Sequence, residues 1–298
     1  MLDKQLRTLI NMLRLNPLMV EGVPIDRLRE SLDNMGDKAP RISGISSEQI
    51  VVGGVNVCHF FPEEVSYTQK LMVYLHGGGY VMGSSRSHRP LLERLCLAFE
   101  GSVYSIDYSL APEAPFPVAL NEVLGVYSQI LLAGKSAKKI VIAGDSAGGG
   151  LALASLINFR EEGLEIPACG ILISPWTDLA ITGESAVSCA SFDPIVKRKT
   201  LSEFGSMYLG GALPTTPLAS PLYANFHGLC PLLLQVGGSE VLLDDSLRLQ
   251  KKLERAAVTS ELQVWDDVVH VWHLFAPILE KGKEAINDAA KYANAHVA

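Results

Sequence analysis

A serine hydroxyl can attack a carbonyl carbon when its oxygen stands clear of the backbone, next to a base and to N–H donors for the charge that develops. Gly144-Asp145-Ser146-Ala147-Gly148 supplies such a serine. Lys138 to Ala143 before it is a β-branched apolar run that reads as a buried parallel strand. Gly149 to Ile157 after it reads as a buried helix. A serine on a sharp strand-to-helix turn presents Oγ above the end of a sheet. It also sits at a helix N-terminus, where free N–H groups and the dipole favour negative charge. A glycine-rich turn of this kind can equally bind phosphate or simply pack tightly, so the pentapeptide needs support from the rest of the chain.

That support starts at Leu71-Met72-Val73-Tyr74-Leu75, a second apolar strand ending in His76-Gly77-Gly78-Gly79-Tyr80. Consecutive glycines let backbone N–H groups approach a developing oxyanion with no Cβ in the way. A loop of this composition upstream of the serine is the form the device takes in lipases and esterases. Gly78 and Gly79 are therefore expected to donate two amides, and Ala147 a third. His76 reads as a residue that orients the loop by hydrogen bonding.

With these motifs the chain resembles the hormone-sensitive-lipase-like branch of the α/β-hydrolases, the bacterial family IV esterases. The resemblance is carried by His76-Gly77-Gly78-Gly79-Tyr80, by Asp107-Tyr108-Ser109-Leu110-Ala111-Pro112-Glu113 with Pro115-Phe116-Pro117, by Gly144 to Gly149, and by Ser174-Pro175-Trp176-Thr177-Asp178. It spans at least residues 70 to 275. It implies an α/β-hydrolase fold: a mostly parallel central sheet flanked by helices, with a helical cap built from the N-terminus and an insertion.

In α/β-hydrolases an acid and then a histidine follow the serine along the chain. Four histidines lie downstream: His227, His270, His273 and His296. His270 follows the apolar strand Leu262 to Trp265, where the resemblance places the base. His273, three residues on, is its rival. His227 and His296 read as surface or packing residues. For the acid, registering Leu242 and Asp244 of Glu240-Val241-Leu242-Leu243-Asp244 on the family pattern puts Glu240 at the acid position, where Asp is commoner. A carboxylate of either length can hold the imidazole tautomer. Asp244 and Asp245 are the rivals, better placed in the first turn of the next helix, where negative charge is favourable. Asp107, Asp145 and Asp178 read as supporting residues.

The 298 residues suit one large α/β domain, 1–298, with a core of about 41–179 and 223–298 and a cap of about 1–40 and 180–222. In the cap, Met19, Phe204, Met207 and Tyr208 are candidate pocket walls, together with Tyr80. Hydrophobic residues make up 48% of the chain, and mean hydropathy is +0.22, as a sheet buried on both faces and an apolar pocket require. A net charge of −7 without a basic cluster argues against a nucleic-acid partner. No apolar run approaches the roughly 18 residues of a membrane span. Residues 1–15 interleave Asp3, Lys4, Arg7 and Arg14 with leucines at helical spacing, unlike a signal peptide. Cys58, Cys96, Cys169, Cys189 and Cys230 are scattered among apolar neighbours, which suggests reduced thiols and a cytoplasmic location. No metal-ligand spacing occurs, and the chemistry implied needs neither metal nor cofactor. The resemblance also implies a homodimer joined through an edge strand.

The expected activity is hydrolysis of short-chain acyl esters, a small-molecule substrate class, through an acyl-enzyme formed on Ser146. A lipase or an amidase would use the same machinery. A non-catalytic binder is a third reading, opposed by the presence of His270 and the complete glycine loop.

Overall fold

Alternate side chains of each inner strand feed opposite cores, and this is what makes the sheet the centre of the molecule. The computed structural model describes residues 4–19, 22–64 and 69–297. Two helices, α1 (Lys4–Leu15) and α2 (Ile25–Lys38), precede the antiparallel pair β1 (Ile45–Val52) and β2 (Val55–Pro62). Then follow β3 (Leu71–Leu75), α3 (Arg89–Phe99), β4 (Ser102–Ile106), α4 (Val118–Leu132), β5 (Ile140–Asp145), α5 (Ala147–Glu161) and β6 (Cys169–Ile173). A helical insertion with α6 (Ser185–Ser188) and α7 (Arg198–Leu209) separates these from β7 (Leu232–Gly237), α8 (Leu243–Arg255), β8 (Ser260–Trp265) and α9 (Glu280–His296).

The eight strands lie in the order β1-β2-β4-β3-β5-β6-β7-β8. Only β2 is reversed, pairing antiparallel with both β1 and β4; from β4 to β8 every pairing is parallel. On β3, Val73 and Leu75 enter the core shared with α4, α5 and α8, while Met72 and Tyr74 enter the core shared with α3 and α9. That two-sided burial explains why the strands read as continuous apolar runs. β8 closes one side of the sheet and pairs only with β7 among the described residues.

Crossover connections return every parallel strand in the same direction, so their carboxyl ends share one rim. Ligands of open α/β sheets bind along such a rim. Here it carries His76 after β3, Ser146 after β5, Ser174 after β6, Glu240 after β7 and His270 after β8. Two further segments are fastened over it. On α2, Arg29 donates to the Val81 and Ala111 carbonyls at 2.8 and 3.0 Å and makes two hydrogen bonds to Glu113. The insertion is tied down at its start by the buried Asp178. Its carboxylate accepts hydrogen bonds from Thr182, Ala180, Tyr223 and Arg248.

No helix among the described residues is long and apolar enough to cross a membrane.

Candidate active site

Ser146 sits at the tightest point of the chain. Its backbone has φ 52° and ψ −121°, a conformation that a non-glycine residue adopts only when its surroundings impose it. Those surroundings are visible: Ser146 N–H donates to the Ile173 carbonyl at 2.8 Å, and the Ser146 carbonyl accepts from Trp176 N–H at 2.8 Å. Gly148 completes the turn, since a Cβ there would collide with the carbonyls of Leu75 and His76. The result is a hydroxyl that points away from the sheet end, with α5 starting at the next residue.

The base and the acid come from the two neighbouring loops on the rim. His270 Nε2 lies 3.0 Å from Ser146 Oγ, and His270 Nδ1 lies 2.7 Å from Glu240 Oε2. Glu240 is fully buried, and its other oxygen accepts Gly237 N–H at 3.0 Å. The carboxylate is thus fixed at both oxygens, and only Nδ1 of the imidazole can donate to it. Nε2 is left as an acceptor facing the serine hydroxyl. Burial alone would disfavour the imidazolium, but the charge and hydrogen bond of Glu240 outweigh it and raise the His270 pKa above the ordinary 6.5. Asp193 and Asp145 add smaller attractions of the same sign.

The glycine loop brings its amides to the same spot. Gly78 takes φ 120°, a region open to glycine but rarely to other residues. Gly77 N–H is used internally, donating to Asp145 Oδ1 at 3.0 Å. The N–H groups of Gly78, Gly79 and Ala147 donate to no other group among the described residues. Three such donors next to a serine hydroxyl can receive an oxyanion.

His273, the rival base, lies elsewhere. It is fully buried, with Nε2 2.9 Å from Gln235 Oε1, and packs on Trp272. Burial drives its pKa down to about 3, so it stays a neutral core residue. The rival acids are also occupied. Asp244 accepts Ser185 N–H at 2.9 Å, holding the start of α6. Asp245 is buried and accepts the N–H groups of Thr177 and Asp178 at 2.7 and 2.8 Å; burial pushes its carboxyl up to about 7. Asp107 holds the segment after the glycine loop by accepting Ser85 N–H and Oγ–H. His227 is exposed, and His296 bonds the Tyr292 carbonyl. His76 donates from Nδ1 to the Gly77 carbonyl and stacks on Tyr108, which fits a loop-orienting residue.

Beside Ser146 and His270 is a narrow cavity of about 40 Å³. Its apolar walls include Leu18, Met19, Leu32, Ile195, Leu274 and Phe275. Met19 was expected there; the other suggested wall residues are placed differently. Tyr80 and Tyr208 are buried and stacked on each other with centroids 3.7 Å apart. Phe204 lies under the glycine loop, where a Cβ on Gly79 would meet its ring at 2.5 Å. Met207 is half-buried against the main core. Tyr80 follows the glycines directly, Tyr208 stacks on it and Phe204 packs against Gly79, while the cavity beside Ser146 is lined by other residues. Ile195, Leu274 and Phe275 escaped sequence reasoning because no local pattern marks a residue that only folding carries to the serine.

Comparison with known proteins identifies the fold and the family. A family model of the alpha/beta hydrolase fold matches residues 72–274. Over 223 residues the chain is 38% identical to an acetyl-hydrolase of Streptomyces hygroscopicus, covering 75% of each protein. It superposes with a TM-score of 0.95 on the crystal structure of an esterase from the bacterial hormone-sensitive lipase family, at 39% identity and over 99% of both chains. A crystal structure of EstE5 soaked with p-nitrophenyl butyrate matches with a TM-score of 0.94 at 38% identity, again over 99% of both chains. The chain belongs to the hormone-sensitive-lipase-like carboxylesterases of the α/β-hydrolase superfamily.

Proposed function

We propose that the protein hydrolyses short-chain acyl esters with Ser146 as nucleophile, His270 as general base and acid, and Glu240 as the residue that holds His270. The observation that carries this reading is the unbroken hydrogen-bonded chain Ser146–His270–Glu240 next to three amides with no acceptor among the described residues. His270 takes the Ser146 proton as Oγ attacks the ester carbonyl. The amides of Gly78, Gly79 and Ala147 receive the oxyanion, an effect of about 3 kcal/mol for a single donor where such donors have been removed. His270 then passes the proton to the leaving alcohol. Water, deprotonated by the same imidazole, releases the carboxylic acid.

Residues 1–40 and 180–222 serve as a cap in this reading, which Leu18, Met19, Leu32 and Ile195 support by closing the cavity over Ser146. A cavity of about 40 Å³ is narrow, so a long acyl chain would have to displace these side chains. Short acyl groups are therefore favoured over lipids. The five cysteines are all unbridged, which supports a reducing, cytoplasmic setting. The edge of β8, which has no strand partner beyond β7 among the described residues, supports pairing with a second copy.

The test is a p-nitrophenyl ester series from acetyl to palmitoyl, with Ser146→Ala as the blank. Activity is expected to be confined to the short chains; equal or greater rates on palmitoyl would replace the esterase reading with a lipase. A pH profile tests His270. Only the neutral imidazole accepts the serine proton, so kcat/KM should fall as pH drops through the raised His270 pKa. The half-point of the acid limb is expected above the ordinary 6.5. A half-point below that value would mean that another group limits the reaction.

A further inference from the structure

Beneath the glycine loop lies a second histidine–aspartate pair, which the mechanism above does not use. Asp145 precedes the serine and is buried. Its Oδ1 accepts Tyr74 O–H at 2.8 Å and Gly77 N–H at 3.0 Å. Its Oδ2 faces His88 Nε2 at 3.3 Å. His88 is buried just ahead of α3, and both residues border the cavity that holds Ser146 and His270.

The protons on His88 follow from its partners. On the other side of the ring, Nδ1 lies 2.8 Å from Ser87 Oγ and 3.3 Å from the Ser84 carbonyl. The Ser87 hydroxyl has one proton, and that same carbonyl, an acceptor only, lies 2.8 Å from its oxygen. Ser84 N–H also donates to Ser87 Oγ. With the Ser87 proton on that carbonyl, both groups facing Nδ1 are acceptors and Nδ1 carries a hydrogen. Nε2 faces a carboxylate that already accepts two donors, so it must carry one as well. A ring that donates from both nitrogens is an imidazolium.

We propose that His88 is a positioning residue held as a buried imidazolium, whose charge cancels that of Asp145 beside the oxyanion site. The inference rests on the esterase reading. Asp145 fixes Gly77 and through it the aim of the Gly78 and Gly79 amides. Left alone, its negative charge would oppose the oxyanion that those amides receive, in a site where little water screens it. Paired with His88, it keeps its grip on Gly77 without that repulsion.

The other groups around His88 agree with this assignment. Asp33, on α2, attracts the charge from the opposite side. Tyr74 keeps its proton, because burial and Asp145 hold its pKa well above 10. His76, with its ring 5.6 Å from that of His88, is pushed down to about 4 by burial and by the His88 charge, and so adds no second cation. Burial works against the His88 imidazolium, yet Asp145 raises its pKa above the usual value. The same pairing keeps the Asp145 carboxyl below its usual value against the opposing effect of burial.

The first experiment reads the ring itself. In the unaltered protein labelled with 15N-histidine, the His88 ring, assigned through its own backbone, should show two protonated nitrogens at pH ~7. A neutral ring at pH ~7 overturns the proposal. The second is a cycle of His88→Gln, Asp145→Asn and the double variant, each checked for folding by near-ultraviolet circular dichroism. His88→Gln should lower kcat by about tenfold or more with KM little changed, and removing the stranded carboxylate in the double variant should recover most of that loss. A double variant no faster than His88→Gln alone overturns the charge-cancelling role. If Ser146→Ala kept full activity, the esterase reading would fail while the ring spectrum still decided the charge of His88.

Discussion

Ser146→Ala is expected to lower kcat on p-nitrophenyl butyrate by about 10⁵–10⁶-fold, to the level left by binding and the oxyanion donors alone. The substitution deletes one oxygen, whose hydrogen bond is to His270 Nε2. It leaves the positive-φ backbone in place, because that is held by Ile173 and Trp176 through main-chain bonds. The loss of one hydrogen bond at a site bordered by a cavity should change stability by about 1 kcal/mol or less. The measurement is a pair: turnover, and a thermal melt within a few degrees of the unaltered protein. Turnover above about one per cent in a folded variant would remove Ser146 from the reaction.

Glu240→Gln should cost about 10⁴-fold in kcat, by analogy with the loss seen when the triad aspartate of a serine protease becomes its amide. The geometry gives a specific reason. Gly237 N–H donates to Oε1, so that position must remain an oxygen in the amide. The NH2 group then falls at the place of Oε2, 2.7 Å from His270 Nδ1. An N–H facing Nδ1 forces the ring proton onto Nε2, where it confronts Ser146 Oγ and can no longer accept the serine proton. The variant should also lose the charge that raises the His270 pKa, and its acid limb should move to lower pH. By contrast, Asp244→Asn and Asp245→Asn should act on how the insertion and the loop after β6 are held, since those carboxylates bond Ser185, Thr177 and Asp178. A kcat loss of about 10⁴ in either of them, with Glu240→Gln near normal, would reassign the acid.

Rim residues from distant parts of the chain were legible because each is announced locally. An apolar run with β-branched residues marks a strand, and the residues just past its end must fall on the rim once the strands are parallel. Ser146 and the Gly78–Gly79 loop were reached in that way, whereas His270 and Glu240 also needed the family resemblance, Glu240 through the register of Leu242 and Asp244 on the family pattern. The α/β architecture follows from the same signals, since alternation of apolar strands and helices leaves few ways to bury both sheet faces.

Contacts that join segments without a shared pattern were hidden. His88 meets Asp145 across 57 positions, and Arg248 meets Asp178 across 70. Neither pair has a spacing that could be read. The pocket walls were the least legible part: α7 looked like a wall above the serine, but Tyr208 is stacked on Tyr80 and Phe204 packs against Gly79. Apolar periodicity shows that a helix face will be buried, and it is silent on what that face is buried against. Strands, turns and the order of functional groups along the rim are therefore written in local residue type and backbone preference, each a property of a few neighbouring residues. The charge state of His88, the walls Leu18, Ile195 and Phe275, and the narrowness of the cavity arise from packing and low-dielectric pairing between segments, which come into being only when the chain is folded.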